Sequence, residues 1–410
     1  MNNTPELLSP AGDLDKMRFG IAYGADAVYM AGTRFGMRAA ATNFDDNALR
    51  EGIAYAHAHG VKCYITVNIM PSNRDLPALP AYLELLQDAG ADALIIADVG
   101  VLRMARRYAP KVPVHISTQT SILNHEAANY WADEGAERIV LARELSLEEI
   151  AEIRAKTPKE LEIEAFVHGA MCISYSGRCL ISQYMTGRDA NHGACAQPCR
   201  WNYSLMEEKR PGQFFPVEED GRGTYLYNSK DMCMIEHVPE LIKAGITSFK
   251  IEGRNKTAYY AACVTGAYRA AIDAYRKDPN GFVLPQFCRD EVNKVSHREY
   301  YTGFYFGNQE NGQHYGDSQY IREYEVVGMP VECDDSGKAV FALKNRFFDG
   351  EELELIQPGQ APYVFRAENV TDDEGTKREL FNVPQMRVHF AFPFKVSEWA
   401  ILRKVKERPE

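Results

Sequence analysis

One short pattern recurs along the chain and limits what it can fold into: an amphipathic stretch ends at a glycine, and an apolar run follows almost at once. The pattern occurs at Gly24 before AVYMAG, Gly90 before ALIIAD, Gly135 before RIVLA and Gly245 before SFKIEG. Glycine adopts the left-handed conformation that closes many helices at no steric cost, so a strand can begin directly after it. The repeated join predicts alternating helices and parallel strands.

Eight apolar runs have the length of buried strands. They cover residues 6–9, 27–31, 62–68, 93–98, 114–118, 138–142, 161–168 and 248–252. Helices are predicted between them at 45–58, 79–89, 125–134 and 147–155. Eight strand and helix units within 280 residues match an α/β fold of the TIM (β/α)8-barrel type. An open doubly wound sheet is the alternative, although no GxGxxG sequence follows the first run.

The whole chain has 410 residues, which is too many for one average domain. We predict a barrel domain over 1–280 with a Cys-rich insertion at 169–235, then an aromatic helix and linker over 281–319. From 320 to 410 short alternating runs are separated by turns such as Asp335-Ser336-Gly337. This last segment is predicted to form a small C-terminal β-barrel domain.

Composition and charge exclude several classes of protein. With 45% hydrophobic residues the chain can bury a core, and its net charge of −11 argues against a protein that coats nucleic acid through general charge. No apolar run approaches the ~20 residues that cross a bilayer, and MNNTPELLSP lacks a signal-peptide pattern. We therefore expect a cytoplasmic protein with no membrane partner. A local basic patch is still compatible with the charge, and its candidates are Arg178, Arg188, Arg200, Lys230, Arg254 and Lys256.

Five of the nine cysteines fall within one segment, four of them spaced Cys172-x6-Cys179-x15-Cys195-x3-Cys199. Four thiolates can hold zinc or an iron–sulfur cluster. Structural zinc sites usually use close cysteine pairs, and only one pair here is close, so the spacing favours a cluster. Cys233 is an alternative to Cys199 as the fourth ligand, and we expect it at the start of a helix. The remaining four cysteines are typical of small buried residues.

Polar residues at the ends of several predicted strands form a candidate site, because the carboxyl ends of barrel strands carry the active site. Substrate-binding candidates are Asn68, His115, Ser117, Gln119, Arg143 and Arg254. Catalytic candidates are Glu164, His168, Lys250 and Glu252. Because side chains alternate along a strand, we expect Glu164, Phe166 and His168 to share one face. A histidine beside the cysteines could transfer a proton, and Arg254 could hold a carboxylate or a phosphate.

The segment FVHGAMCISYSGRCLISQYMTGRDANHGACAQPCRW, together with ELLSPAG, GADAVY, NSKD, SFKIEGR and HREYYTGF, resembles the collagenase-like peptidase family of unknown catalytic type, peptidase family U-32. The resemblance covers nearly the whole chain. It implies a barrel that holds a [4Fe-4S] cluster through Cys172, Cys179, Cys195 and Cys199, and so favours Cys199 over Cys233. Within the family the chain looks most like the branch that hydroxylates C5 of the wobble uridine in tRNA.

That branch implies tRNA as the substrate, dependence on prephenate as a co-substrate or ligand, and a paralogous subunit or electron donor as a further partner. Other members hydroxylate ribosomal RNA or a quinone precursor, and these remain alternatives, as does a peptidase. The sequence contains neither HExxH nor GxSxG. A pair of Cys172 with His168 would serve a cysteine peptidase, but it leaves three clustered cysteines without a role.

Overall fold

The computed structural model describes residues 4–37, 42–172, 179–201, 204–206, 214–216, 230–307 and 320–406. The strands up to residue 301 are β1 (Glu6–Pro10), β2 (Ala27–Ala31), β3 (Lys62–Val67), β4 (Ala93–Ile96), β5 (Val114–Ile116), β6 (Arg138–Val140), β7 (Glu162–Ala170), β8 (Ser204–Met206), β9 (Phe214–Pro216), β10 (Asp231–Cys233), β11 (Ser248–Ile251) and β12 (Tyr300–Tyr301). All eight predicted strands are present, as β1 to β7 and β11.

These eight strands form a closed parallel barrel. Each pairs with the next from β1 to β7, and β11 closes the ring by pairing in parallel with both β7 and β1. Glu6 lies opposite Ser248 on one side of the closure, and Ser248 lies opposite Glu164 on the other. The TIM-type barrel is therefore confirmed, and the open sheet is excluded.

Helices cover the outside of the barrel, and one short helix, Ile181–Thr186, lies in the Cys-rich insertion instead. They are α1 (Leu14–Ala22), α2 (Asp46–Ala58), α3 (Leu79–Asp88), α4 (Val99–Tyr108), α5 (His125–Asp133), α6 (Leu147–Ala155), α7 (Ile181–Thr186), α8 (Val238–Lys243), α9 (Ala258–Lys277) and α10 (Gln286–Asn293). The capping box that opens α6 is present, since the Ser146 side chain accepts from the Glu149 N–H and Glu149 reaches back. Gly24, Gly90, Gly135 and Gly245 all have positive φ, as the repeated join requires.

One prediction of secondary structure is wrong. Cys233 ends strand β10, which runs antiparallel to β7 with Cys233 opposite His168, rather than opening a helix. The segment 281–319 contains the helix α10, and its aromatic residues Tyr300–Tyr301 follow as strand β12 beside β10. The backbone N–H and C=O groups of these residues are hydrogen-bonded to strands that are distant in the sequence. A local sequence pattern does not reveal such pairing.

The C-terminal segment forms an antiparallel half-barrel. Its strands are β13 (Tyr324–Cys333), β14 (Lys338–Leu343), β15 (Phe347–Phe348), β16 (Glu352–Ile356), β17 (Tyr363–Arg366), β18 (Thr371–Asp372), β19 (Leu380–Phe381), β20 (Arg387–Ala391) and β21 (Ile401–Val405). Seven of them form one sheet in the order β17-β16-β21-β13-β14-β20-β18, and β15 pairs with β19. Phenylalanines dominate the core of this domain, with Phe347 stacked on Phe381 at 4.8 Å between ring centroids.

A buried ion pair joins the half-barrel to the barrel. Arg403 of β21 has no exposed surface, and its guanidinium donates to Glu291 of α10 and to Glu354 of β16. Trp399 packs edge-on against Phe19 of α1 at 5.4 Å. The two domains therefore share a packed interface. Within the described residues, no helix combines the length and the apolar character needed to cross a membrane.

Candidate functional site

The inside of the barrel holds a buried chain of charges. Arg138 of β6 donates to Glu6, Glu162 and Glu164, and Glu164 accepts from Lys250 of β11 at 2.6 Å. Glu164 has no exposed surface. Burial alone would raise the pKa of Glu6, but the Arg138 guanidinium outweighs it and holds that pKa below its ordinary value. Each of these buried charges thus has a partner of opposite charge, because an unpaired charge is strongly unfavourable in low-dielectric surroundings.

A cavity of about 120 Å³ lies above these charges, at the carboxyl ends of the strands. The described residues that line it are Tyr29, Met37, Thr66, Asn68, Ile95, Ser117, Thr118, Gln119, Arg143, Phe166, Cys172, Cys179, Ile181, Ser182, Ala190, Asn191, Cys195, Pro198, Cys199, Lys250, Glu252 and Arg254. Residues from seven barrel strands, or from the loops that follow them, therefore meet the Cys-rich insertion at one place.

Three cations and one carboxylate face the cavity. Arg143 lies 3.8 Å above the Phe166 ring and 3.7 Å from the Glu252 carboxylate. Lys250 lies between Glu164 and the Tyr29 ring, 4.5 Å from the ring centroid. Arg254 is 3% exposed and donates to the Met37 carbonyl. The excess of positive charge suits a ligand that carries a carboxylate or a phosphate.

The opposite wall offers neutral polar groups. Asn68 donates to Ser117 Oγ at 3.3 Å and accepts from the Met37 N–H, which holds its amide in place. Gln119 Oε1 and Thr66 Oγ1 are buried and find no hydrogen-bond partner among the described residues. Buried polar atoms usually have a partner, so these two atoms fit a ligand that offers hydrogen bonds.

The Cys-rich insertion folds over the mouth of the barrel and brings Cys172, Cys179, Cys195 and Cys199 to the cavity wall. Two backbone contacts shape it: the Ala196 N–H donates to Ser182 Oγ at 2.9 Å, and the Gln197 N–H donates to Cys195 Sγ at 3.4 Å. Gln197 has a φ of 58°, an unusual value for a residue with a side chain. Backbone N–H groups aimed at cysteine sulfur are a feature of iron–sulfur sites.

The donor set therefore fits an iron–sulfur cluster in its chemistry and in its location, since four soft thiols face one cavity. In the described parts of the chain, no three His, Cys, Asp or Glu side chains are already close enough together to hold a metal ion. Residues 173–178, between the first two cysteines, lie outside the described residues.

The other cysteines lie elsewhere. Cys63, Cys263 and Cys288 are buried, as expected for packing residues, and Cys333 lies in the half-barrel. Cys233 does not line the cavity, because β10 places it beside His168 on β7. Burial raises the pKa of the Cys233 thiol to about 12. The cysteine that joins the other three at the cavity is Cys199.

Three of the candidate residues do not line the cavity: Glu164, His115 and His168. Glu164 lies one layer below it, paired with Lys250 and Arg138. His115 lies in the same layer with its ring 4.6 Å from Tyr64, and burial together with the charges of Arg138 and Lys250 lowers its pKa well below the ordinary value. These two support the floor of the cavity.

His168 lies on the other face of β7, so the expected shared face does not hold for it. The pairing of β7 with β11 shifts between Lys250 and Ile251, which places Lys250 opposite Phe166 and Ile251 opposite His168. Such a bulge reverses the alternation of side chains. The His168 ring then packs among Tyr260, Tyr268 and Tyr300 at 5.2 to 6.0 Å.

The sequence argument missed several cavity residues. Thr66 lies two residues before Asn68, and side chains two apart on a strand share a face. The sequence argument would have found it by considering that position as well as the strand end. Ser182, Ala190 and Asn191 carry no signal of their own, because the fold of the insertion brings them in. Of the predicted basic patch, Arg254 faces the cavity and Lys230 pairs with Glu299, whereas Arg178 and the side chain of Arg200 lie outside what the structure describes.

Comparisons with known proteins agree with this architecture. The chain is 38% identical over 404 residues to tRNA hydroxylation protein P1 of Bacillus subtilis (strain 168), covering 98% of this chain and 95% of that protein. It is 37% identical to tRNA hydroxylation protein P of Escherichia coli (strain K12), covering 90% of each. It is 36% identical to the 23S rRNA 5-hydroxycytidine C2501 synthase of the same organism, covering 80% of this chain and 48% of that protein.

Two family models divide the chain at the same place as the fold. The model of peptidase family U32 matches residues 12–315, and that of the peptidase family U32 C-terminal domain matches residues 322–403. Both the barrel and the half-barrel are thus accounted for by one family. The chain belongs to peptidase family U32.

Proposed function

We propose that this protein is an RNA-modifying enzyme that hydroxylates C5 of the wobble uridine in tRNA to give 5-hydroxyuridine. The observation that carries the proposal is the cavity itself, where four thiols and three cations meet at the mouth of the barrel. Two relatives that match nine-tenths or more of the chain are named for tRNA hydroxylation, which supports the same reading.

Replacing the C5–H bond of uridine by C5–OH is an oxidation, and amino-acid side chains usually leave such chemistry to a cofactor. We assign a [4Fe-4S] cluster to Cys172, Cys179, Cys195 and Cys199, where it would supply redox chemistry to the cavity. The chain's own residues bind and orient the base. Gln119 Oε1 and Thr66 Oγ1 are placed to hydrogen-bond its polar edge, because both are buried on the cavity wall.

We propose prephenate as the co-substrate, and the cations of the cavity support this assignment. Prephenate carries two carboxylates, and a guanidinium holds a carboxylate through two parallel hydrogen bonds. Arg143 and Arg254 supply such groups at the cavity wall. Lys250 is held by Glu164 at 2.6 Å and adds charge from below. Glu252 positions Arg143 through their contact at 3.7 Å.

The alternatives differ in how well they fit this cavity. A cysteine peptidase needs a histidine beside Cys172, but His168 lies among three tyrosines outside the cavity. Hydroxylation of ribosomal RNA or of a quinone precursor would use the same cofactor and cations, so only the identity of the product separates these substrates. Because hydroxylation removes two electrons from the base, the reaction needs a terminal oxidant that supplies the oxygen atom. Where that oxidant takes up four electrons, as O2 does, a paralogous subunit or an electron donor would supply the other two.

Anaerobic purification with iron, sulfide and zinc analysis tests the cofactor, with Cys172→Ser as the variant and Cys333→Ser, a cysteine of the half-barrel, as its control. We expect iron and visible absorbance in the wild type and in Cys333→Ser, and their loss in Cys172→Ser. Stoichiometric zinc without iron would refute the cluster.

Nucleoside mass spectrometry of tRNA from a deletion strain, complemented with each of these proteins, tests the reaction. We expect 5-hydroxyuridine to return with the wild type and Cys333→Ser only. An unchanged level of 5-hydroxyuridine in the deletion strain would contradict the proposed substrate.

A further inference from the structure

A groove of about 1000 Å³ leads from the cavity toward the C-terminal half-barrel. Cavity and groove share Arg143, Cys172, Cys195, Cys199 and Glu252 as wall residues, so one opens into the other. One side of the groove is formed by the end of β11 and the start of α9, and the other by β13 with the residues before it. The half-barrel therefore forms one wall of the groove that leads to the cavity.

The groove is positively charged although the whole chain is acidic. Of the described residues that line it, the cations are Arg143, Arg188, Lys256, Arg322, Lys344 and Lys406, and the only carboxylates are Glu252 and Glu325. The chain as a whole has a net charge of −11. Arg322, Lys344 and Lys406 are exposed and form no ion pair with any other residue that the structure describes. Exposed cations concentrated in one groove bind a polyanion.

An aromatic ring lies among these cations. Lys256 Nζ lies 4.4 Å from the centroid of the Tyr320 ring, and the guanidinium carbons of Arg298 and Arg322 lie 4.7 and 5.7 Å from it. Lys256 is held by the Ser296 carbonyl at 2.9 Å, and Arg322 by Ser296 Oγ at 3.1 Å. Aromatic rings and guanidinium planes are the surfaces on which unpaired RNA bases stack.

The size of the cavity limits what can enter it. Pockets that bind drug-sized ligands have volumes of roughly 300–1,000 Å³, so a cavity of about 120 Å³ admits small groups such as a single base and excludes the strand that carries it. A base can reach such a cavity only after it leaves its stack, and the strand on either side of it must then lie outside. The groove is the space available for that strand.

We propose that the groove binds the single-stranded RNA on one side of the target nucleotide, with the half-barrel supplying phosphate contacts through Arg322, Lys344 and Lys406 and Tyr320 stacking on a flanking base. This inference rests on the proposed function, since it names the surface that would present RNA to the cavity. It assigns the C-terminal domain a direct part in substrate binding.

The test is the affinity of the full-length protein for a fluorescein-labelled RNA stem–loop, measured by anisotropy at several salt concentrations. We expect Arg322→Glu/Lys344→Glu/Lys406→Glu to weaken binding at least tenfold. The slope of log affinity against log salt should fall by about 2, since each lost phosphate contact on a single strand contributes ~0.7. The control is Arg50→Glu/Arg103→Glu/Lys159→Glu, which changes the charge equally at exposed positions outside the groove. It should retain most of the affinity.

Two further variants separate a charge effect from misfolding. The neutral triple variant Arg322→Gln/Lys344→Gln/Lys406→Gln should show an intermediate loss of affinity and have the same melting temperature as the wild type. Tyr320→Ala should weaken binding and leave the salt slope unchanged, because stacking releases no counterions. Equal affinities of the groove and control triples would overturn the inference, and would leave an acidic protein partner as the occupant.

These experiments test the RNA-binding groove and the proposed hydroxylation separately. If the wild type binds the stem–loop through the groove but the deletion strain keeps its 5-hydroxyuridine, the groove stands and the proposed reaction does not. If hydroxylation is confirmed but no variant changes RNA affinity, the reaction stands and the groove is refuted.

Discussion

At the scale of single residues, His168 shows how burial decides the state of a side chain. It is 1% exposed, and its ring nitrogens face the Tyr268 and Tyr300 hydroxyls at 3.5 and 3.3 Å. Burial, with smaller effects of His297 and Lys256, lowers the pKa of His168 to about 3. The ring is therefore neutral at physiological pH and supports the outer face of β7.

This neutral state predicts a pH dependence of stability. Between pH 6.5 and 3 the unfolded chain binds a proton at His168 that the folded chain does not, so the stability of the fold rises with pH across this range and is lost as the pH falls. His168→Gln removes this dependence. Relative to the variant, the wild type should lose about 2 kcal/mol of unfolding free energy between pH 7.5 and pH 5. Urea unfolding at both pH values measures the difference.

The variant also provides the control, because groups that titrate elsewhere contribute to both proteins and cancel. A wild type and a variant whose stabilities fall in parallel would mean that His168 is protonated in the folded state, contrary to its burial.

At the scale of elements, the end of β7 depends on a close approach of two backbones. Gly169 has a φ of 104°, and a Cβ added there would lie 2.3 Å from the Glu252 carbonyl oxygen. The neighbouring Glu252 N–H donates to the His168 carbonyl at 2.8 Å. The backbone of the turn that contains Glu252 and Arg254 therefore packs directly against Gly169, near the end of the adjacent strand β7.

Gly169→Ala should destabilise the protein by about 1–3 kcal/mol and reduce iron retention or RNA modification, because the loop after β11 must move away. Gly60→Ala is the matched control, since Gly60 also has a positive φ, of 71°, but has no atom within 4 Å of the added Cβ. Gly60→Ala should lower the free energy of unfolding by about 1 kcal/mol, because only the backbone conformation is affected, and should leave activity unchanged. Equal effects of the two substitutions on stability and activity would show that the close approach is not needed.

At the scale of the whole molecule, Arg403 couples the two domains. Its guanidinium contacts Glu291 on α10, Glu354 on β16 and the Tyr259 hydroxyl on α9, all at a buried interface. The groove has one wall on each domain, so its width depends on this interface. The half-barrel is thus held at a defined distance from the cavity.

Arg403→Met leaves Glu291 and the half-buried Glu354 with Lys294 as the cation that remains beside them, and should cost about 3 kcal/mol, the lower end for a broken buried pair. Calorimetry should change from one transition to two, as the half-barrel separates from the barrel before the barrel unfolds. Arg387→Met, which removes exposed ion pairs with Glu332 and Asp373 inside the half-barrel, should leave the profile almost unchanged. A single transition in Arg403→Met would show that apolar packing, such as Trp399 on Phe19, suffices for the coupling.

Much of the architecture follows from local pattern. Apolar runs and glycine joins predict all eight barrel strands, and the capping residues Ser146 and Glu149 mark the start of a helix. Eleven of the fourteen predicted site residues, including the four cysteines, Gln119 and Asn68, line one cavity, because parallel strands bring their carboxyl ends to one rim. Strand identity, helix ends and the grouping of strand-end residues depend on neighbours in the sequence, which is why the sequence alone determined them.

Only the tertiary structure decided the rest. Closure of the barrel depends on β11 meeting both β1 and β7, and a pattern read along one strand carries no information about its partners. The bulge that turns His168 away from Glu164 arises in that same pairing. The partners of Glu164, the exclusion of Cys233 from the cavity and the groove beside Tyr320 also join residues far apart in the chain, and they exist only because the barrel closes and the half-barrel packs against it.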